Sequence, residues 1–192
     1  WRLSDKRYQL LNQEHSGEWT WHLDVAPDAV TPALNLLAQA LRAQGQCGPW
    51  RDEQLAVCNA HGERLGTIER GAVRVLGIAT RAVHLVGRAP DGRIWVQQRS
   101  KTKPNNPGMW DTLMGGMVSA ADTLQQALER ETWEEAGLRL PALHGVELGG
   151  QVDFSRPSRE GGGVGYMVER IDWFRCTVPE GLEPRNQDGE VE

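Results

Sequence analysis

The segment from Gly115 to Leu138 constrains this chain more than any other, because an amphipathic pattern within it turns acidic on its apolar side. The spacing predicts a helix over 121–136, with Gly137 as its stop and Leu138 ready to pack back. Leu124, Ala127 and Leu128 form an apolar stripe, and the next positions along it are Glu131, then Glu134 and Glu135. Two carboxylates ~4 Å apart repel by about 4 kcal/mol at an effective dielectric of ~20. Acids in the last turns of a helix also oppose its macrodipole, by ~0.3–1 kcal/mol each. Such groups stay ionised on an inward face only when a cation sits among them; otherwise some are protonated. Hard carboxylate oxygens suit magnesium or manganese. Arg130 is adjacent and is expected to orient one glutamate through a bidentate pair. A solvated, charge-rich helix end is the plain alternative, but here the acids replace apolar positions instead of extending the polar face.

Ahead of this helix, Ala82–Val86 and Ile94–Val96 flank Ala89-Pro90-Asp91-Gly92 and read as a hairpin. Arg99, Lys101 and Lys103 follow, then a turn over 104–108. Trp110–Met114 reads as a short strand closed by Gly115-Gly116. Beyond the helix, strands are expected near 146–154 and 167–178, with Glu160–Gly163 as a mobile loop between them. The first ~70 residues read as a lead-in unit. Thr31 is its expected N-cap, with Pro32 at the first helical position, Leu34, Leu37, Ala38 and Leu41 as the apolar stripe and Gly45 as the stop. A hairpin over 55–58 and 64–68 turns at 59–62. Trp1, Trp19, Trp21 and Trp50 are expected in the core.

Charge and cysteine usage narrow the function. A net charge of −5 argues against a nucleic-acid backbone as partner, yet leaves room for a phosphate-bearing small molecule met through a bound cation. No apolar run approaches the ~20 residues that span a bilayer, and the polar start, which lacks a Met, carries no secretory pattern. Cys47, Cys58 and Cys176 are odd in number and lack metal-site spacing. They are expected as buried, reduced thiols in a cytoplasmic protein.

The same residues resemble the Nudix box, G-x5-E-x7-R-E-U-x-E-E-x-G-U, where U is a bulky apolar residue. Gly116, Arg130-Glu131, Glu134-Glu135 and Gly137-Leu138 match it. Asp122 stands where the first glutamate belongs, and Thr132 replaces an apolar residue. The resemblance covers about 73–192. It implies an α+β fold, a Nudix-like α/β/α sandwich with a mixed sheet over 71–192, with residues 1–70 as an N-terminal α/β lead-in. The closing strand and helix of that fold are expected beyond Glu192.

By that likeness Glu131, Glu134 and Glu135 hold Mg2+ (Mn2+ as alternative), Arg130 orients them, and Gly116, Asp122 and Gly137 shape the box. A further glutamate comes from a late loop, Glu190 by preference and Glu192 otherwise. Glu134 or Glu190 takes a proton from the attacking water, and Arg99, Lys101 and Lys103 bind the terminal phosphate. The implied partner is a small-molecule diphosphate, with no nucleic acid or membrane expected, and the lead-in could cover the pocket or pair two chains as a homodimer. Residues 95–119 are similar to the Nudix part of fungal thiamine pyrophosphokinase fusions, which implies thiamine diphosphate or its oxidised analogues as substrate. Nucleoside-diphosphate derivatives are the generic alternative, and a non-catalytic sensing module is a third. The isomerase relatives use a cysteine in the strand before the box; Trp110–Met114 has none.

Overall fold

The computed structural model describes residues 10–15, 18–102, 106–187 and 189, with side chains from residue 23 onward. In chain order the elements are β1 (Leu10–His15), β2 (Glu18–Leu23), α1 (Val30–Ala43), β3 (Gln54–Cys58), β4 (Arg64–Glu69), β5 (Ala79–Arg88), β6 (Gln97–Gln98) and β7 (Trp110–Asp111). They continue with β8 (Met114–Met117), α2 (Leu124–Ala136), β9 (His144–Ser158), α3 (Glu160–Gly163) and β10 (Gly165–Thr177).

A mixed sheet of order β8-β5-β10-β9 forms the centre. β5 runs parallel to β10, and the other two pairings are antiparallel. Strand alternation turns one face of β5 toward α2. Val83 and Leu85 face α2 and bury with Met114, Ala127 and Leu128. On the opposite face, Ile78 and Met117 pack against a second cluster built from α1, β3 and β4, including Leu34, Ala38, Leu55 and Ile68. Ala72 and Val73 belong to that second cluster. The lead-in hairpin is also tied to the loop before α2: Ala120 N–H donates to the Gln54 carbonyl (2.7 Å), and Arg64 Nη1 to the Ala120 carbonyl (2.8 Å).

Several local expectations are corrected. α2 begins after Thr123, whose hydroxyl accepts from Gln126 N–H while Gln126 Oε1 accepts from Thr123 N–H, a reciprocal cap. Thr31 does not cap α1. The helix starts at Val30, entered through a tight turn at Pro27–Ala29, and Thr31 Oγ1 accepts from Thr67 N–H instead (3.0 Å). Ile94–Val96 forms no strand: a single bridge joins Ile94 to Arg88, and Ile94 and Val96 are exposed. Trp110–Met114 splits in two, Trp110–Asp111 pairing with β6 and Met114 opening β8. Glu160–Gly163 is a defined turn with Gly161 and Gly162 in left-handed conformations. Of the three cysteines, which are unbridged, only Cys176 is buried; Cys47 is half-buried and Cys58 exposed. Trp50 is half-buried at the edge of the second cluster and packs against it, while its Nε1 donates to Asp52 Oδ1 (2.7 Å) and Arg42 stacks over its ring. Trp1 lies outside the described residues, as do the side chains of Trp19 and Trp21.

Leu128 is fully buried between α2 and the sheet. Leu128→Ala is expected to lower unfolding free energy by about 3 kcal/mol, read from urea denaturation, because transfer and cavity costs add.

Candidate metal and diphosphate site

Arg130 is the hub of the acidic helix end. Its Nε and Nη2 both donate to Asp122 Oδ2 (3.0 and 2.9 Å), and its Nη1 donates to Glu131 Oε1 (2.8 Å) and Glu134 Oε2 (3.1 Å). The two-nitrogen grip expected on a glutamate is therefore made on Asp122, and it ties the loop before α2 to the helix. Thr132, the departure at an apolar box position, is fully buried and satisfied, its hydroxyl donating to the Leu128 carbonyl (2.6 Å).

The three box glutamates take two directions. Glu131 and Glu135, one turn apart, are 9% and 4% exposed, whereas the Glu134 side chain is 41% exposed beside Arg130. Glu131 and Glu135 reach the edge strand β8 where it carries only glycines. A Cβ on Gly116 would overlap the Glu131 carboxylate, and one on Gly115 would meet the His84 ring at 2.6 Å. Glu135 Oε2 accepts from Gly115 N–H (2.9 Å) and from Gln97 Nε2 (2.7 Å). Gly137, with φ of 63°, closes the helix in the left-handed region.

Burial pushes the Glu131 carboxyl up to about 7; the charges of Glu135 and Glu134 add to the rise, and Arg130 holds it down. A buried carboxyl that keeps its proton near neutrality, one turn from a second buried carboxylate, fits a site where a divalent ion displaces the proton. Gln97 Oε1 is a further hard oxygen, buried without a partner among the described residues, on the side chain that binds Glu135. Among the described residues no three Asp, Glu, His or Cys side chains converge on one point. Glu190 and Glu192 lie outside the described residues.

These carboxylates open into a cleft of about 750 Å3 between the lead-in and the sheet. Of the expected phosphate-binding residues only Arg99 lines it, paired with Asp111 (3.2 Å). Lys101 is exposed and away from the lining, and Lys103 lies outside the described residues. The other cleft arginines, Arg51, Arg70, Arg74, Arg156 and Arg159, were not anticipated. They come from separate segments and share no local pattern. His84 was also missed, though a polar residue at the centre of an apolar strand is a readable signal. Thr112 Oγ1 donates to the Met114 carbonyl (2.8 Å), so its contact with His84 Nδ1 (2.9 Å) makes Nδ1 the proton-bearing nitrogen. His84 Nε2 has no partner among the described residues and is not sealed off in the interior.

A NUDIX domain model matches residues 79–192. The chain belongs to the Nudix family. An uncharacterized Nudix hydrolase of Streptomyces coelicolor is 34% identical over 86 residues, 45% of this chain and 48% of the relative. Nudix hydrolase 20, chloroplastic, of Arabidopsis thaliana is 30% identical over 131 residues, covering 66% and 33%. An uncharacterized protein of Saccharomyces cerevisiae is 26% identical over 158 residues, covering 74% of this chain and 45% of the relative. The chain thus spans half or less of the length of these relatives. The crystal structure of DR0079 from Deinococcus radiodurans has the same fold, with a TM-score of 0.53 and 22% identity over 73% of this chain and 80% of that one. Within this Nudix chain, the pairing of buried and exposed glutamates around Arg130 is the part to which a cation test applies.

Glu131 generates a pH prediction. The folded carboxyl keeps its proton up to about 7, whereas the unfolded one releases it near 4.5. Below pH 4.5 Glu131 therefore costs nothing, and as pH climbs to 7 the fold loses stability. Relative to Glu131→Gln, the wild type should lose at most about 3 kcal/mol between pH 4.5 and 8, measured by denaturant unfolding without divalent metal. A constant difference between the two proteins across that range contradicts the assignment.

Proposed function

We propose that this chain is a magnesium-dependent hydrolase, with manganese as substitute, that cleaves a diphosphate linkage in a small molecule. The observation that carries the reading is the pair of buried carboxylates, Glu131 and Glu135, set over a side-chain-free strand edge at the mouth of an arginine-lined cleft. Glu131 and Glu135 would hold the ion, with Glu134 as the third expected ligand. Magnesium held there would supply charge neutralisation for the diphosphate and acidify a water. Arg130 keeps Glu131 and Glu134 in place, and Asp122 keeps Arg130 in place. Glu134 or Glu190 takes the proton of the attacking water. Arg99 binds a phosphate oxygen from the cleft wall. Residues 1–70 are the lead-in to the 71–192 unit, and their described part supplies Arg51 and Arg70 to the same cleft. The unbridged cysteines support a reducing, cytoplasmic setting.

Two substrate classes divide the proposal. Thiamine diphosphate and its oxidised analogues are supported by the likeness of residues 95–119 to the fungal fusion proteins. Nucleoside-diphosphate derivatives are supported by the arginines at the end of the cleft away from the box glutamates.

Phosphate release across nucleotide, sugar-nucleotide and thiamine diphosphates at saturating magnesium tests the proposal. Glu131→Gln and Glu135→Gln should each lose roughly a hundredfold or more in kcat/KM on whichever substrate is turned over. Full turnover by both variants contradicts it. Independently, magnesium at ~100 times its Kd should stabilise the wild type by about 2.7 kcal/mol. The same magnesium should leave the Glu131→Gln/Glu135→Gln double variant unmoved in a melting experiment.

A further inference from the structure

The cleft has two poles, and strand register measures how far apart they are. At one pole His84 pairs with Gly115, whose N–H binds Glu135. His84 also pairs with Trp173 on β10. At the other pole Met167 on β10 pairs with Arg156 on β9. Trp173 and Met167 are six residues apart on one strand, which places the poles about 20 Å apart along the sheet at ~3.3 Å per residue. A diphosphate is far shorter than this, so one held at Glu131 and Glu135 cannot reach the arginine end.

That end carries positive charge in excess. Arg74 is matched by Glu169 (2.8 Å) and Arg70 by Glu53 (2.7 Å). The side chains of Arg51, Arg156 and Arg159 line the cleft, are exposed, and have no acidic partner among the described residues. Their backbones are nonetheless held firmly. The carboxylate of Glu69, 1% exposed, accepts from Arg51 N–H (2.8 Å) and Gly71 N–H (3.3 Å), pinning the lead-in loop. Arg156 is fixed in β9, and Arg159 leads into the Glu160 turn. Glu160 folds against Gly48, leaving no room there for a Cβ, which brings the lead-in loop and the end of β9 together. The Glu160 carboxylate also lines this end, yet none of the three guanidinium groups has an ion pair with it or with any other described acid, so cationic groups on anchored backbone outnumber the acids here and focus the local field on an anion.

We propose that Arg51, Arg156 and Arg159 form an anion subsite that takes a phosphate-type group on the organic part of the substrate, opposite the diphosphate that is cut. This rests on the hydrolase reading and deepens it. It selects a diphosphate whose organic part carries a second negative group, as phosphorylated nucleotide derivatives do. It disfavours thiamine diphosphate, whose organic part is cationic.

The test is calorimetric titration of inorganic phosphate into the full chain without divalent metal, which needs no turnover. Wild type and Glu131→Gln should bind phosphate saturably and alike. Arg156→Gln/Arg159→Gln, and separately Arg51→Gln, should bind it about tenfold or more weakly. Absence of binding to the wild type, or equal binding by the arginine variants, overturns the subsite. So does loss of binding in Glu131→Gln alone. The hydrolase reading would instead fail through undiminished turnover in the glutamate variants, so the two failures are told apart.

Discussion

The site depends on two glutamates being forced into the protein's interior beside a strand that has no side chains to meet them. Glu131 and Glu135 fall on the buried arc of α2, with Ala127 and Leu128 a turn earlier. They reach the cleft because Gly115 and Gly116 leave the edge of the sheet bare. Burial without compensation makes ionisation of Glu131 costly, and that cost is what a divalent ion would relieve. Arg130 offsets part of it, but its guanidinium is shared among Asp122, Glu131 and Glu134. One positive charge against three carboxylates leaves the helix end electrostatically unfinished.

The acidic helix was legible because its signal is local: a stripe of period 3.6 that changes from apolar to acidic within one turn. Its direction at Glu134 was less legible. That residue lies roughly 60° round from Glu131, on the side away from the core, so it meets solvent and Arg130 while its neighbours are buried. Gly115-Gly116 read as the end of a strand because glycine weakens strands. The fold keeps both inside β8, where the carboxylate and the imidazole occupy the space that side chains would need. Thr31 carried a cap signature, but its hydroxyl is spent on Thr67 N–H, a partner 36 residues away that no local pattern reveals.

The cleft was the least legible feature, because it is composite. Its arginines come from the lead-in loop, the turn after β4, the ribbon before β7 and the end of β9. Each is an ordinary surface residue in sequence, and only the sheet register brings them to one cavity. The lead-in is therefore more than a cover for the sheet. Through Glu69, Ala120 and Arg64 it fixes the loop that carries Arg51 and the loop that enters α2. A chain with a net charge of −5 in this way presents a cavity with an acidic pole at Glu131 and Glu135 and an arginine-rich pole opposite.

Proton release on metal binding tests the central claim most directly. Magnesium is titrated calorimetrically into the full chain near pH 7, in two buffers of different ionisation enthalpy. If Glu131 surrenders its proton to the ion, the wild type should release a substantial fraction of one proton per site, and Glu131→Gln should release none. Magnesium binding with equal proton release in both proteins, or no binding by the wild type, would contradict a cation site built on that buried carboxyl.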